Sequence, residues 1–256
     1  MTGRLPVTLC ISTYQAASVL RECIESCADW VSEVLVVDMG SGDGTVELAR
    51  ELGARVITVP HAGFAEPGRQ AGIEAAAQPW ILVLDADERA ARGLRAVAAA
   101  AVARPDLAGL RLNRENHIFG RAIRHSGFWP DWQLRLFRRD AAHWPPFTHT
   151  QVEVSGRVER AAGRSAAIVH LAYDSVAEWI SRANRYTDHD VDRYLAKGRS
   201  ASLVRLLGMP PATFSWHYVV KRGYRDGRHG LVLSLLMAWY VMTIEMKLWD
   251  RERRDG

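Results

Sequence analysis

The stretch Trp80–Glu88, WILVLDADE, sets a short apolar run against two aspartates spaced i, i+2. Ile81, Leu82, Val83 and Leu84 are too few and too β-branched for a helix of their own, which predicts a strand buried on both faces. Asp85, Ala86 and Asp87 then fall at its carboxyl end, the edge of an open α/β sheet where ligands bind. Two carboxylates at that edge repel each other unless something positive lies between them. A divalent metal carrying a phosphate group is one such thing. The other reading is a helix N-terminus. Asp and Glu are favoured there by capping and by the helix dipole, AARGLRAVAAAAVA follows closely, and Glu88 is the best-placed residue to open that helix.

Upstream of this stretch, strands and helices alternate at short intervals. Val7–Ile11 reads as a strand ending in STYQ, and Ala16–Ala28 as a helix with apolar Val19, Leu20, Ile24 and Cys27 on one face. Val34–Val37 is a second strand. It runs into the glycine-rich turn DMGSGDGT, which opens the helix TVELARELG, closed by Gly53. Arg55–Val59 is a third strand, HAGFAEPG a loop and RQAGIEAAAQ the next helix. Such alternation argues for a parallel, doubly wound sheet whose polar junctions share one edge.

Downstream of Arg104-Pro105 the texture changes. Leu107–Leu112, QLRLFRR, FTHTQVEVSG and AAIVHLAY carry strand signals, while NRENHIFGRAIRHSGFWPDW is aromatic, basic and unlike a helix. This half predicts mixed strands that extend the sheet. Ser175–Lys197 is a polar helix. Its DHDVD cluster, Asp188–Asp192, resembles a metal site by composition only, and helical spacing scatters those side chains into a solvated face. From about Leu203 the chain is apolar, tryptophan-rich and flanked by KRGYRDGRHG and KLWDRERR. An amphipathic element at a membrane interface fits that pattern; a helical hairpin packed on its own core or on a second subunit is the alternative. The apolar run Leu231–Ile244 is shorter than the roughly 20 residues that span a bilayer. The expected organisation is 1–104, the alternating strand–helix half; 105–174, the mixed-strand half; and 175–256, a helical, membrane-associated region.

A hydrophobic content of 48% supports a real core, and 24% charged residues argues against wholesale disorder. The formal charge of +4 concentrates near the C-terminus, which suits an anionic partner. Those basic residues interleave with apolar ones rather than forming a separate stripe, which argues against nucleic acid. Cys10, Cys23 and Cys27 match no zinc spacing and read as small buried residues of a reduced, cytosolic protein. The N-terminus MTGRLPVTLCIST has no long apolar signal core.

STYQ, DMGSGDGT, AGFAEPGRQAGIEAA, LDADE, RHSGFWPDWQLRLFRR, IVHLAY and the tail KRGYRDGRHGLVLSLLMAWYVMTIEMKLW together resemble the inverting family 2 glycosyltransferases of GT-A fold. More narrowly, they resemble the branch that contains lipopolysaccharide-core β-1,4-glucosyltransferases. The resemblance covers nearly the whole chain. It implies an α/β, Rossmann-like, mostly parallel sheet extended by mixed strands, with a C-terminal amphipathic helical region. It also implies a nucleotide-diphosphate sugar as donor, a UDP-hexose by preference, and a lipid-linked or cell-envelope glycan as acceptor. The reaction would run at the inner face of the cytoplasmic membrane. A homo-oligomer through the C-terminal helices is a further partner that the tail allows.

Site residues follow from the resemblance, position by position. Asp38 resembles the residue that accepts a hydrogen bond from the nucleotide base, Thr13 lies along the nucleoside, and Arg69 reaches the base or the diphosphate. Asp85 and Asp87 resemble a DxD motif: the second contacts Mg²⁺ or Mn²⁺, the first the ribose or the same metal. His170 stands where such enzymes supply a further metal ligand, with a backbone-bonded core histidine as its other reading. Asp131 occupies the place of the catalytic base, or else pairs with Arg135 or Arg138. Trp129, Trp132, Arg135 and His149 would face the acceptor, the tryptophans as sugar platforms or as core. Gly40, Gly42 and Gly44 serve the turn, and Asp43 caps the helix after it.

The chain departs from the family at two places. Tyr14-Gln15 stand where relatives often carry Asn-Glu, and His149-Thr150 where they often carry His-Glu; Glu153 is nearby but out of register by the strand period. Two other functions compete. Nucleotidyl transfer needs a glycine-rich, lysine-bearing phosphate loop after the first strand, and STYQAAS has neither feature. A nucleotide-sugar-binding or membrane-scaffold protein with altered chemistry is the reading that Thr150 keeps open.

Overall fold

The structure is a computed structural model and describes residues 3–61, 66–145, 150–161, 163 and 167–255. It divides into two compact units, 3–114 with 131–170 and 115–130 with 171–255, less the residues outside that description.

The first unit begins with β1 (Leu5–Thr13), α1 (Ala17–Glu25), β2 (Val31–Asp38), α2 (Thr45–Glu51), β3 (Arg55–Thr58), α3 (Glu66–Ala75) and β4 (Trp80–Asp85). β1 lies between β2 and β4, and β3 pairs beyond β2, all four parallel. The chain therefore winds outward from β1 on one side, then returns to the other, which leaves a crevice at the carboxyl ends of β1 and β4. Register places Ser12 opposite Asp85 and Thr13 opposite Asp38 at that edge.

Side-chain alternation explains why these runs lie flat in a two-faced sheet. Leu9, Ile11, Val36, Leu82 and Leu84 face one core layer, with Leu20 and Ile24 of α1 packed on it. Cys10, Leu35, Val37, Ile81 and Val83 face the other, with Ile73 of α3. α3 packs close because Gly72 lacks a side chain: a Cβ there would lie 2.3 Å from Cys10 Sγ and 3.2 Å from Val37 Cγ2. α3 begins at Glu66, three residues before the expected helix, because Pro67 fits the first turn, where its missing N–H costs no bond. Gly53 ends α2 at φ +77°, and its amide donates to Arg50 O (2.9 Å).

Beyond β4 come β5 (Glu88–Ala90), α4 (Leu94–Val102), β6 (Leu107–Ile118), β7 (Arg121–Ala122), β8 (Trp132–Arg138), β9 (Ala142–His143), β10 (Glu153–Val154), β11 (Arg157–Arg160) and β12 (Ile168–Tyr173). The helix expected to open at Glu88 is corrected here. Glu88 begins a strand that pairs antiparallel with β12, Glu88 opposite His170, and α4 starts only at Leu94. β8 inserts antiparallel between β4 and β6, and β11 runs parallel to β6. The result is a mostly parallel α/β sheet extended by mixed strands, as the sequence predicts. β6 continues six residues past Leu112, into the segment that the sequence marks as unlike a helix.

In the second unit β7 folds back on the end of β6, with His117 opposite Ala122. Three long helices follow: α5 (Val176–Ala196), α6 (Leu203–Ser215) and α7 (Arg228–Asp255). Ser175 caps α5, its hydroxyl accepting from Glu178 N (3.1 Å). The DHDVD cluster is more than a solvated face: Asp188 pairs with Lys247 (2.7 Å) and Asp190 accepts from Tyr240 (2.7 Å), docking α5 on α7. α7 is longer than the apolar run inside it. By length and composition it could cross a membrane, with a mean hydropathy of 1.6 over an 18-residue window, of which 44% is buried in the protein.

Candidate active site

The carboxyl edge of β1, β2 and β4 gathers the residues that the sequence singles out. Asp38 is buried, and its carboxylate accepts from the amides of Gly40 (2.9 Å) and Ser41 (3.1 Å). It therefore builds the DMGSGDG turn, where Gly40 takes φ +84° and Gly44 φ +90°. Asp43 does not cap α2 from its N-cap position, which Gly44 holds. Its carboxylate instead accepts from Ala17 N (3.0 Å) and Thr45 N (3.1 Å), tying α1 to the start of α2. Gln15 N donates to Ser41 Oγ (2.9 Å), so the loops after β1 and β2 are laced together. At the end of β1, Ser12 Oγ and Thr13 Oγ1 are buried and have no partner.

Asp85 and Asp87, two residues apart, have different surroundings. Asp85 receives two arginines: Arg69 Nη2 at 2.6 Å and Arg135 Nη2 at 2.8 Å. Burial works against its ionisation, but Arg135 and Arg69 outweigh that and hold the carboxyl well below the usual range. Asp87 instead faces His170, with Oδ2 3.6 Å from Nε2. Arg69 lies over the Trp144 ring at 4.7 Å. Its Nε, like Arg135 Nη1, is buried without a partner.

Glu88 is a site residue that the sequence reading missed. Its side chain is fully buried, accepting from Asp85 N (2.9 Å), Arg135 (3.2 Å) and Arg114 (3.4 Å). Burial pushes its carboxyl up, against the pull of Arg135. Arg114 passes the contact on, its Nε donating to Asp131 Oδ2 at 2.8 Å. Asp131 is held from two more directions: Gln133 Nε2 donates to Oδ1 (2.6 Å), and Asn113 Oδ1 accepts from its amide (2.8 Å). Asp131–Arg114–Glu88–Arg135–Asp85–Arg69 is thus one continuous run of ion pairs. The available signal was the E of DADE and an arginine on the strand opposite Asp131.

The expected acceptor residues have different surroundings. Trp132 is half-buried at the start of β8, with Arg160 5.5 Å above its ring. Arg135 does not face an acceptor: it is 4% exposed and committed to Asp85 and Glu88, because a buried guanidinium needs carboxylate partners. The pairing expected between Asp131 and Arg135 or Arg138 is made by Arg114 instead; Arg138 donates to Leu107 O (2.8 Å). Trp129 is half-buried in the second unit. His149 lies outside the described residues, and Thr150 Oγ1 donates to Pro145 O (3.0 Å).

A parallel sheet wound outward from a central strand, with a DxD at the switch point and a carboxylate held just before an added antiparallel strand, is the GT-A arrangement. Residues 8–156 match the model of glycosyl transferase family 2, so the chain belongs to that family and is a glycosyltransferase. It is 27% identical to the lipopolysaccharide core biosynthesis glycosyltransferase LpsC of Rhizobium meliloti, over 98% of this chain and 94% of that one. It is 36% identical to the uncharacterized glycosyltransferase RP128 of Rickettsia prowazekii, over 95% and 86%. Among solved structures, the mannosyltransferase PcManGT of Pyrobaculum calidifontis, in complex with GDP-Man and Mn²⁺, superposes with a TM-score of 0.57. That match covers 97% of this chain and 88% of the other at 17% identity. TarS 1-349 of S. aureus gives 0.53, covering 98% and 92% at 14% identity. These likenesses confirm the GT-A fold.

Proposed function

We propose that this protein is a metal-dependent, inverting hexosyltransferase. It moves a sugar from a nucleoside diphosphate, UDP-hexose by preference, to a hydroxyl of a lipid-linked or envelope glycan, at the inner face of the cytoplasmic membrane. The observation that carries the reading is the run of ion pairs that fixes Asp131 and the DxD edge in one constellation. In the displacement, the acceptor oxygen forms a bond to the anomeric carbon while the bond from that carbon to the diphosphate oxygen breaks. Asp131 takes the acceptor proton, and attack from the face opposite the leaving group inverts the centre. Arg114, Gln133 and Asn113 keep that carboxylate aimed.

The donor end has matching chemistry. Arg69 Nε and Arg135 Nη1, buried without partners beside Asp85, suit an anionic group such as a diphosphate. Ser12 and Thr13, with unpartnered hydroxyls at the same edge, suit the nucleoside. Among the described residues no three His, Cys, Asp or Glu side chains gather into a metal cage. Asp87 and His170 offer two donors, which fits a hard divalent ion that completes its shell with phosphate oxygens and water. When bound, Mg²⁺ or Mn²⁺ would neutralise the departing diphosphate. The metal and mannose-nucleotide in PcManGT and the name of LpsC support this reading by analogy.

The test is nucleoside diphosphate release from a panel of nucleotide sugars with Mn²⁺ and a glycolipid acceptor. Asp87→Ala and Asp131→Asn are each expected to lower release by at least about 100-fold. Equal release by wild type and Asp87→Ala overturns the metal site, and an active Asp131→Asn overturns the base. Donor binding without turnover on any glycan acceptor favours the altered, binding-only protein that Thr150 in place of a glutamate suggests.

A further inference from the structure

α6 carries its polarity inside out. A helix on a protein surface normally turns charged residues to water and apolar ones inward. Here Leu203, Val204 and Leu207 are 75%, 82% and 73% exposed, and α6 contributes no buried residue. The one charged side chain of the helix, Arg205, turns inward to Glu245 of α7 (3.0 Å), a carboxylate that is 2% exposed and also takes Arg199. A π-helical turn, Trp216–Val220, continues α6 and keeps the pattern: Trp216, Val219 and Val220 are exposed. Its polar side chain, His217, is again turned inward, with Nδ1 2.7 Å from Ser126 O. From Leu203 to Val220 the outward face holds no charge at all. At 1.5 Å per residue that is a strip about 27 Å long.

Cations gather where the strip ends. Lys221, Arg222, Arg225 and Arg228 are all exposed, and Lys221 Nζ lies 5.0 Å over the Trp216 ring. Residues 197–229 hold seven Lys and Arg against one acidic residue, Asp226, so this segment alone exceeds the formal charge of the whole chain. Asp226 does not neutralise the surface. It is buried and accepts from the amides of Arg124 (3.2 Å) and His125 (2.9 Å). An apolar strip with a tryptophan at its end and cations beyond is the profile of a helix lying in a lipid interface, hydrocarbon below and phosphates at the rim.

We propose that Leu203–Val220 inserts in plane into the headgroup region of an anionic bilayer, with Lys221, Arg225 and Arg228 on the lipid phosphates. The reading deepens the membrane-face setting proposed above and rests on it for its biological context alone. A second copy of this chain fits less well. A two-fold contact places a patch against itself, and this one would bring cations to cations with no exposed acid among residues 197–229 to answer them. α7 exposes Leu231, Leu235 and Trp249, but it buries Leu233 and Leu248 and holds Glu245 and Lys247 in ion pairs inside the unit.

Full-length protein is sedimented with vesicles of phosphatidylcholine, alone or with about 30 mol % phosphatidylglycerol. Binding is expected only to the anionic vesicles, weakening as salt rises. At about fivefold per cation, K221Q/R225Q/R228Q should weaken partitioning by about two orders of magnitude. L203Q/L207Q, both at exposed positions, should abolish insertion while the circular dichroism and urea midpoint stay put. Brominated lipids should quench tryptophan emission in wild type and lose most of that effect in Trp216→Phe. Unchanged binding by L203Q/L207Q, or quenching that persists in Trp216→Phe, overturns the proposal. So does a concentration-dependent dimer that L203Q/L207Q dissociates without any vesicle binding. No nucleotide sugar enters this assay, so its failure is distinct from failure of the transferase reading.

Discussion

Arg114→Met removes one side chain from the middle of the ion-pair run and tests whether that run serves chemistry or only packing. In the native protein Arg114 Nε donates to Asp131 Oδ2 at 2.8 Å, and Nη1 lies 3.4 Å from Glu88 Oε1. The first is a charge-assisted bond, contributing about 1.5–3 kcal/mol; the second is longer and adds little by itself. Glu88 is fully buried but keeps Arg135 at 3.2 Å, so the variant does not strand a lone charge. Arg114 and Asp131 are each about one-fifth exposed, at 23% and 22%, so water compensates part of the loss. The net destabilisation is therefore about 2 kcal/mol, below the 3–5 kcal/mol typical of breaking a buried pair. That corresponds to a fall in Tm of about 4–8 °C. Function should suffer more. Asp131 keeps Gln133 and Asn113 but loses the donor on Oδ2, and if it acts as the proposed base, a displacement of about 1 Å loses about 100-fold in rate. The loss is expected in kcat, with KM for the donor nearly unchanged. Arg114→Lys keeps the charge without the fork and should recover stability more than rate. Steady-state transfer and thermal melts on the same preparations check this. A variant that melts lower but turns over within twofold of wild type refutes the positioning role.

Three further outcomes follow from the packing of the sheet. Gly72→Ala should cost about 1–3 kcal/mol in urea unfolding, because the new Cβ meets Cys10 Sγ at 2.3 Å in a filled layer; a neutral variant would mean that α3 sits less tightly on β1. Burial pushes the Cys10 and Cys27 thiols up to about 12, so iodoacetamide at mild alkaline pH should label neither until denaturant is added, as intact-mass spectra will report. Burial disfavours ionised Glu33, but Thr8, the Ala77 amide and Arg55 outweigh it and hold the carboxyl low. Its contribution is therefore present above the unfolded carboxylate pKa and fades as pH falls through the lower folded value. The urea midpoints of wild type and Glu33→Gln should converge on acidification, and a gap that widens instead reverses the assignment.

The sheet was legible because its strands are buried on both faces. WILVLD, EVLVVD and VTLCI are continuous apolar runs that no exposed helix would carry, and their ends fix the ligand edge without further information. The helix expected from Ser175 was equally plain, and the Ser175 hydroxyl that caps it acts locally. Glu88 was misread because its role is not local. Adjacent to an acidic pair and before an alanine-rich helix, it satisfies every rule for a helix start. What decides against that start is β12, some eighty residues away, which pairs with it, and two arginines from β6 and β8 that need a buried carboxylate. Arg135 was misassigned for the same reason: a basic residue in an aromatic segment suits an acceptor surface until its strand is seen to run antiparallel beside β4. The inverted face of α6 was invisible in composition, which shows that apolar and basic residues are present but not which of them point outward.

The two aspartates of the opening stretch show how one short motif supplies two environments. Strand alternation makes residues i and i+2 equivalent in direction, so Asp85 and Asp87 would share a fate if β4 ran on through both. It does not: β4 ends at Asp85, and the chain turns before β5. Asp85 stays in the sheet and is clamped by Arg69 and Arg135, while Asp87 leaves it and meets His170. Glu88 makes that turn, since its carboxylate accepts from Asp85 N and its backbone pairs with His170. A single buried carboxylate therefore holds the turn that separates the aspartates, aligns the histidine with the second of them, and, through Arg114, reaches Asp131. Glu88→Gln is accordingly the substitution that should disturb the proposed donor and base ends together. It keeps an amide oxygen for Asp85 N but presents neutral dipoles to two arginines. Loss of kcat accompanied by weaker metal activation is expected, and loss of one without the other would show that the two ends of the site are held separately.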